Sequence, residues 1–122
     1  GLAAAIRSVS TPFGVNLPAQ AAAAAALGEA ELTRTAERSA TVAAERDRVV
    51  DALRAQGWEI PDAQGNFFWL GAGDETAALA EHFRAAGILV RPFVGEGVRV
   101  SIGTTSDNER VLAAAAAWRA EH

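Results

Sequence analysis

The sequence predicts an α+β fold in which helices cover a small, largely antiparallel β-sheet. Three short apolar runs, at residues 66–70, 88–91 and 98–102, are typical of strands. The segments around them are rich in alanine, glutamate and arginine, which favour helices. With 122 residues, 50% of them hydrophobic, the chain is long enough for one domain with a single core.

The first 28 residues predict two helices separated by a break. Residues 2–7 resemble the end of a helix, and the following segment, STPFGVNLP at residues 10–18, interrupts it because its prolines and glycine disfavour helix continuation. Pro18 suits the first turn of a helix, and an alanine-rich helix is expected from there to Gly28. We therefore expect the break to act as a hinge or linker.

A long polar helix is predicted for residues 31–56, with Gly57 closing it in a left-handed conformation. Acidic and basic residues three positions apart would stabilise its outer side. These pairs are Glu45 with Arg48 and Asp51 with Arg54. A narrow apolar stripe would face the core, and it consists of Leu32, Ala36, Val42, Val49, Val50 and Leu53.

The first predicted strands follow this helix. Residues 58–61 are a candidate short strand. Residues 66–70 form a clearer strand that is apolar on both faces, so we expect it to be covered on both sides. A turn then leads into a helix over residues 76–86, which ends at Gly87.

The last third of the chain predicts two strands and a helix. The strands are residues 88–91 and 98–102, and the loop between them contains Pro92, Gly95 and Gly97. Ser106 and Glu109 have the spacing of a capping box, so the last helix is expected to begin there and to run to about residue 120.

The composition argues against several classes of partner and site. The net charge is -4, and the 11 basic residues do not form the stripe that a phosphate backbone requires, so nucleic acid is not expected as a partner. There is no cysteine, and the two histidines, His82 and His122, are too few to favour a zinc site. No segment reaches the roughly 20 apolar residues of a membrane span, and none resembles a secretory signal. A cytoplasmic location is therefore expected, without membrane contact.

Two residue types are missing from the sequence. There is no methionine, which indicates that the chain is processed or is part of a longer protein. All 11 basic residues are arginine, so no lysine is present to form an imine with a carbonyl compound.

Arg99 is the strongest candidate for a binding residue. In residues 98–102 the apolar side chains alternate with Arg99 and Ser101, which therefore share the opposite face of the strand. Arg91 ends the neighbouring predicted strand, so the two guanidinium groups could converge on one anion, which each would bind through two parallel hydrogen bonds. The alternative is an arginine on a solvated sheet face, and the pattern alone leaves both open.

The sequence contains three other candidate sites. Residues 71–76, GAGDET, lie between a strand and a helix as a dinucleotide-binding loop does, but the third glycine is missing and Asp74 and Glu75 would repel a pyrophosphate. His82 is predicted to be a surface or partly packed side chain rather than a catalytic base. Asn66 could cap the preceding turn or contact a ligand, and the sequence favours the cap.

Four motifs occur in an order that resembles the C-terminal part of the histidinol-phosphate aminotransferase family. They are STPFGVNLPAQAAAAAAL, LRAQGWEIPDAQGNFFWL, AAGILVRPF and GVRVSIGTTSDNERVL, and they extend over nearly the whole chain. The combination of PFGVN, VRPF and GEGVRV resembles the aromatic amino acid (phenylalanine) aminotransferase branch of these fold-type I pyridoxal-phosphate enzymes.

The resemblance implies a domain organisation and a substrate site. Residues 1–17 would be the end of an inter-domain helix with its hinge, and residues 18–122 the small C-terminal domain that closes over the substrate. Arg99 would bind the substrate α-carboxylate, or the phosphate of histidinol phosphate, with Arg91 in a supporting role. Asn16 and Asn66 match recurrent positions of the family near the substrate.

The resemblance also implies an activity for the intact enzyme. It would be a homodimer that transfers an amino group between an aromatic amino acid, or histidinol phosphate, and a 2-oxo acid. Pyridoxal 5'-phosphate would be bound by a large domain that precedes this region, because the family's Schiff-base lysine has no counterpart here. We therefore expect no catalytic residue, cofactor-binding residue or metal ligand in this segment, which should be inactive alone.

Two other functions are compatible with the sequence. A free-standing module in which Arg91 and Arg99 bind a carboxylate metabolite would also be a small α+β domain. An interaction domain that packs through its alanine runs, at residues 21–26 and 113–117, is the third hypothesis.

Overall fold

The computed structural model describes residues 2–10 and 13–122. Thr11 and Pro12, in the predicted hinge, lie outside the described residues. The chain divides into two compact units, Gly1–Glu37 and Arg38–His122. The predicted division after residue 17 stays a prediction.

The first unit is helical. It contains α1 (Leu2–Val9), α2 (Leu17–Ala26) and the beginning of α3 (Glu29–Ala55). Asn16 is the N-cap of α2, because its side chain accepts a hydrogen bond from the Ala19 N–H at 2.9 Å. No residue of α2 is buried, and Leu32 of α3 is 49% exposed. The prediction that the N-terminal part of the apolar stripe on α3 faces the core is therefore wrong. The buried residues of α3 are Val49, Val50 and Leu53.

The second unit contains the sheet. After the C-terminal part of α3 come strand β1 (Phe67–Gly71), a 3₁₀ turn (Gly73–Glu75) and helix α4 (Thr76–Ala85). Strands β2 (Arg91–Phe93) and β3 (Gly97–Ser101) follow, and α5 (Thr105–Glu121) ends the unit. The three strands are antiparallel in the order β1-β3-β2, which confirms the predicted α+β class.

One face of the sheet packs on the helices and forms the core. Phe68 and Leu70 of β1 and Val98 and Val100 of β3 are at most 2% exposed. Helices α3, α4 and α5 contribute further buried apolar side chains, which are Val49, Val50, Leu53, Leu79, Phe83, Val111, Leu112, Ala114, Ala115 and Trp118. Within residues 38–122 only this face is covered, so the expectation that β1 is covered on both sides is wrong.

Two predicted strands differ from the structure. Residues 58–61 have no strand partner, although Trp58 and Ile60 are buried in the core. The backbone there pairs with a side chain instead, because Arg54 donates a hydrogen bond to the Ile60 carbonyl at 3.0 Å. The strand predicted at residues 88–91 is Arg91–Phe93 and includes Pro92, which an edge strand tolerates.

The N-terminus of α5 also differs from the prediction. Its N-cap is Thr104, whose hydroxyl oxygen accepts a hydrogen bond from the Asp107 N–H at 3.3 Å, and the predicted pair of Ser106 and Glu109 lies inside the helix.

Three predictions are confirmed. Gly57 has φ of 89° and Gly87 has φ of 74°, as helix-closing glycines do. His82 is partly packed, with its Nε2 at 2.9 Å from the Ala114 carbonyl oxygen.

A polar cluster joins α3, α5 and the loop after β3. Asn108 is 1% exposed, and its side-chain amide donates to Glu45 Oε1 at 3.0 Å and to the Gly103 carbonyl at 3.2 Å. Arg48 binds Glu45 through two hydrogen bonds, at 2.8 and 3.0 Å, and also pairs with Glu109 at 2.8 Å. Hydrogen bonds from Arg48 and from Asn108 lower the pKa of Glu45 from 4.5 to about 2.

The lowered pKa of Glu45 predicts a pH dependence of stability. Between about pH 4.5 and pH 2 the unfolded chain binds a proton at this carboxyl group and the folded chain does not, so stability falls as the pH is lowered through this window. We expect Glu45→Gln to flatten this part of the pH profile of the urea midpoint. Glu121→Gln, at the exposed end of α5, is the control. Equal slopes in both variants would contradict the prediction.

Candidate functional site

The second face of the sheet carries the candidate site. Phe67, Trp69, Arg99, Ser101, Arg91 and Phe93 project from it, because they alternate with the buried residues of the same strands. We call this set the arginine face. Its side chains range from partly buried, as for Trp69, Phe93 and Arg99, to exposed, as for Arg91.

The register brings the two predicted arginines together. Arg99 of β3 lies directly opposite Arg91 of β2 and, on its other side, opposite Trp69 of β1. Directly opposed residues of an antiparallel pair share one face and are neighbours, with Cβ atoms about 5 Å apart. Neither arginine forms an ion pair with another residue of the part of the chain that the structure describes. Two like charges in this position repel each other, and a bound anion would relieve the repulsion.

Each of the two guanidinium groups lies over one aromatic ring. Arg99 lies over the Phe67 ring, with 5.1 Å from Cζ to the ring centroid, and Arg91 lies over Phe93 at 5.2 Å. Trp69 contacts Phe93 in a tilted arrangement with centroids 5.4 Å apart. The rings hold the arginine side chains by cation–π attraction and leave the hydrogen-bonding edges of the guanidinium groups for a ligand.

Gly97 makes the arrangement of Trp69 possible. A Cβ atom at this position would lie 2.2 Å from the Leu70 carbonyl oxygen and 2.9 Å from the indole ring of Trp69. Both distances are shorter than van der Waals contact, so the close approach of β1, its tryptophan and β3 requires glycine. Sequence reasoning placed Gly97 in the loop and missed this role.

The two predicted asparagines are placed differently. Asn66 directly precedes β1, has an exposed side chain, and accepts a hydrogen bond from the Ile102 N–H through its backbone carbonyl at 2.9 Å. Asn16 belongs to the first unit and caps α2. Their roles toward a substrate stay predictions.

The aromatic members of the arginine face were also missed. Phe67 and Trp69 were interpreted only as strand residues, and Phe93 lay in the predicted loop between residues 91 and 98. Their signal was present in the sequence, since Phe67 and Trp69 are two residues apart and therefore share a face. What the sequence lacked was the register that places this face beside Arg99 and Arg91.

The chemistry available on this face is anion binding. Within residues 2–10 and 13–122, no group of three or more histidine, aspartate or glutamate side chains could hold a metal ion. In the same residues, no helix combines the length and the apolar character needed to cross a membrane. Two arginines flanked by aromatic rings suit a small ligand that has a carboxylate or phosphate and an apolar or aromatic part.

Comparison with known proteins gives one consistent family. Residues 2–115 match the family described as aminotransferase class I and II. The chain is 47% identical over 121 residues to an aromatic amino acid aminotransferase of Streptomyces coelicolor, spanning 98% of this chain and 33% of that protein. It is 50% identical over 112 residues to the enzyme of the same name from Thermobifida fusca, spanning 91% of this chain and 30% of that protein.

A solved structure agrees with the sequence matches. A crystal structure from Burkholderia pseudomallei K96243, of a protein provisionally described as an aminotransferase, superposes with a TM-score of 0.63 at 31% identity. The match covers 75% of this chain and 30% of that one. The chain thus spans about a third of the length of the relatives that it matches.

Proposed function

The chain belongs to the aminotransferase class I and II family, and we propose that it is the substrate-closing C-terminal part of a pyridoxal-phosphate-dependent aromatic amino acid aminotransferase. In this proposal the full-length enzyme transfers an amino group between an aromatic amino acid and a 2-oxo acid. The arginine face binds the acidic group of the substrate, with Arg99 as the main contact and Arg91 beside it.

One observation carries the assignment of the site. Arg91 and Arg99 are opposed across two strands on an open sheet face, and neither has a carboxylate partner among the described residues. Such an arrangement costs free energy in the absence of an anion, so it is more readily explained by ligand binding than by stability.

The role of these arginines is positional. Two parallel hydrogen bonds from one guanidinium group fix both the place and the orientation of a carboxylate. Binding in this way already removes motions of the substrate that it would otherwise have to lose on reaching the transition state. Arg99 is partly buried and lies over the Phe67 ring, and a less polar environment strengthens its charged hydrogen bonds.

Pyridoxal phosphate would supply the electron sink for the amino-group transfer. The residues present here do not fit it as a covalently held group, because the sequence has no lysine to form the imine. We therefore propose that the cofactor is bound by the rest of the protein and that the present segment is inactive by itself. We extend the proposal to a cytoplasmic homodimer, since enzymes of this family are typically dimeric.

An aromatic donor is favoured over histidinol phosphate. Two arginines could bind a phosphate as well as a carboxylate. The support for the aromatic donor is that the relatives described above are named as aromatic amino acid aminotransferases. The rings of Phe67, Trp69 and Phe93 on the arginine face also suit an aromatic substrate.

The proposal is tested with the full-length protein supplied with pyridoxal phosphate. We expect transamination of phenylalanine with 2-oxoglutarate as acceptor, and a kcat/KM for histidinol phosphate that is lower by about tenfold or more. A higher kcat/KM for histidinol phosphate would move the protein to the other branch. A well-folded protein that is inactive with both donors would contradict the proposed function.

A further inference from the structure

The two outer strands of the sheet differ in how their free edges are protected. Strand β3 is central, so β1 and β2 each have one free edge within residues 38–122. A free edge exposes backbone N–H and C=O groups that can pair with another strand, and proteins usually protect it with proline, charge or short length.

The direction of the backbone groups in β1 follows from the hydrogen bonds at its two ends. The Asn66 carbonyl accepts from the Ile102 N–H at 2.9 Å, and the Ala72 N–H donates to the Glu96 carbonyl at 3.1 Å. Residues 66, 68, 70 and 72 therefore direct their backbone groups toward β3. Phe67, Trp69 and Gly71 direct theirs to the free edge, where no hydrogen bond joins them to another described residue.

The edge of β2 is protected and that of β1 is not. In β2, Arg91 and Phe93 pair with Arg99 and Gly97, which leaves Pro92 as the residue that faces outward. Proline has no N–H, so this three-residue edge offers no donor at that position. By contrast, the outward residues of β1 each keep an N–H, and none of them is charged.

A groove runs beside the open edge. It has a volume of about 850 Å³, and its lining includes residues 57–61, Arg119, and Trp69 and Gly71 of β1. The groove thus lies next to the unused backbone donors and acceptors of Trp69 and Gly71.

We propose that the groove receives an extended segment from the rest of the full-length protein, which pairs with β1 as a fourth strand. The proposal rests on the proposed function, because it takes the chain to be part of a longer aminotransferase. Relatives are about three times as long as this chain and therefore contain ample further sequence. Completion of the sheet would hold β1, and with it Trp69 of the arginine face, against the remainder of the enzyme.

The test is amide hydrogen exchange in the full-length protein with residue resolution. We expect the amides of Phe67, Trp69 and Gly71 to be protected by ~100-fold or more relative to an unstructured chain, and the same protection is expected for Phe68 and Leu70, which pair with β3. Protection should be independent of protein concentration. Rapid exchange at these outward amides would overturn the proposal, and protection that appears only at high concentration would overturn it in favour of pairing between copies.

A pair of variants isolates the backbone contribution. Gly71→Pro removes one outward N–H, whereas Gly71→Ala keeps it, and a Cβ atom there would have only Trp69 Nε1 nearby, at 4.0 Å. We expect Gly71→Pro, and not Gly71→Ala, to raise the exchange rates at Phe67 and Trp69 by about tenfold. Equal rates in the two variants would contradict the fourth strand. Because exchange is measured without substrate, the result does not depend on whether the enzyme uses aromatic amino acids.

Discussion

Replacement of Arg99 by lysine in the full-length enzyme is expected to lower kcat/KM for phenylalanine by about 10- to 100-fold. Lysine keeps the positive charge but replaces a planar fork with a single ammonium group, so one of the two parallel hydrogen bonds to the carboxylate is lost. A hydrogen bond to a charged group contributes about 1.5 to 3 kcal/mol, which gives this range. The measurement is steady-state kinetics with the amino donor varied.

Two matched variants control this prediction. Arg84→Lys changes an arginine that binds Glu81 through two hydrogen bonds on the outer side of α4, away from the arginine face, and should leave kcat/KM unchanged. Arg91→Lys should have a smaller effect than Arg99→Lys, because Arg91 is the more exposed of the two. Wild-type kinetics for Arg99→Lys would remove Arg99 from the substrate site.

The sequence predicted those parts of the fold that depend on local patterns. The alternation in residues 98–102 placed Arg99 on the face opposite the core, and Gly57 and Gly87 were correctly interpreted as helix-closing residues. These features depend on the period of a strand and on the conformational freedom of glycine, both of which can be read from a few neighbouring residues.

The errors concern features that depend on distant residues. The strand predicted at residues 88–91 begins only at Arg91, because its position is determined by pairing with β3 rather than by its own apolar content. Leu32 has the spacing of a core residue but is 49% exposed, since spacing does not tell how far along a helix the core extends. The opposition of Arg91 and Arg99 is likewise a matter of register.

The largest expected effect on stability is that of Gly97→Ala. The new Cβ atom would lie 2.2 Å from the Leu70 carbonyl oxygen, a backbone atom that cannot move without loosening the pairing of β1 with β3. It would also lie 2.9 Å from the Trp69 ring. We expect a loss of about 3 kcal/mol in the free energy of opening of this strand pair. This corresponds to an exchange rate about 100-fold higher for the Phe68 and Leu70 amides.

Gly71 provides an internal control, because it is the direct partner of Gly97 in the register of β1 and β3. The same added methyl group at Gly71 has Trp69 Nε1 as its nearest neighbour, at 4.0 Å, and should be neutral or slightly stabilising through the lower entropy of the unfolded chain. Two alanine substitutions in one pair of opposed residues are therefore expected to differ by about 3 kcal/mol. Similar exchange rates in the Gly97→Ala and Gly71→Ala variants would show that β1 and β3 can separate enough to admit a side chain. The close packing of Trp69 on Gly97 would then not be what holds the arginine face in place.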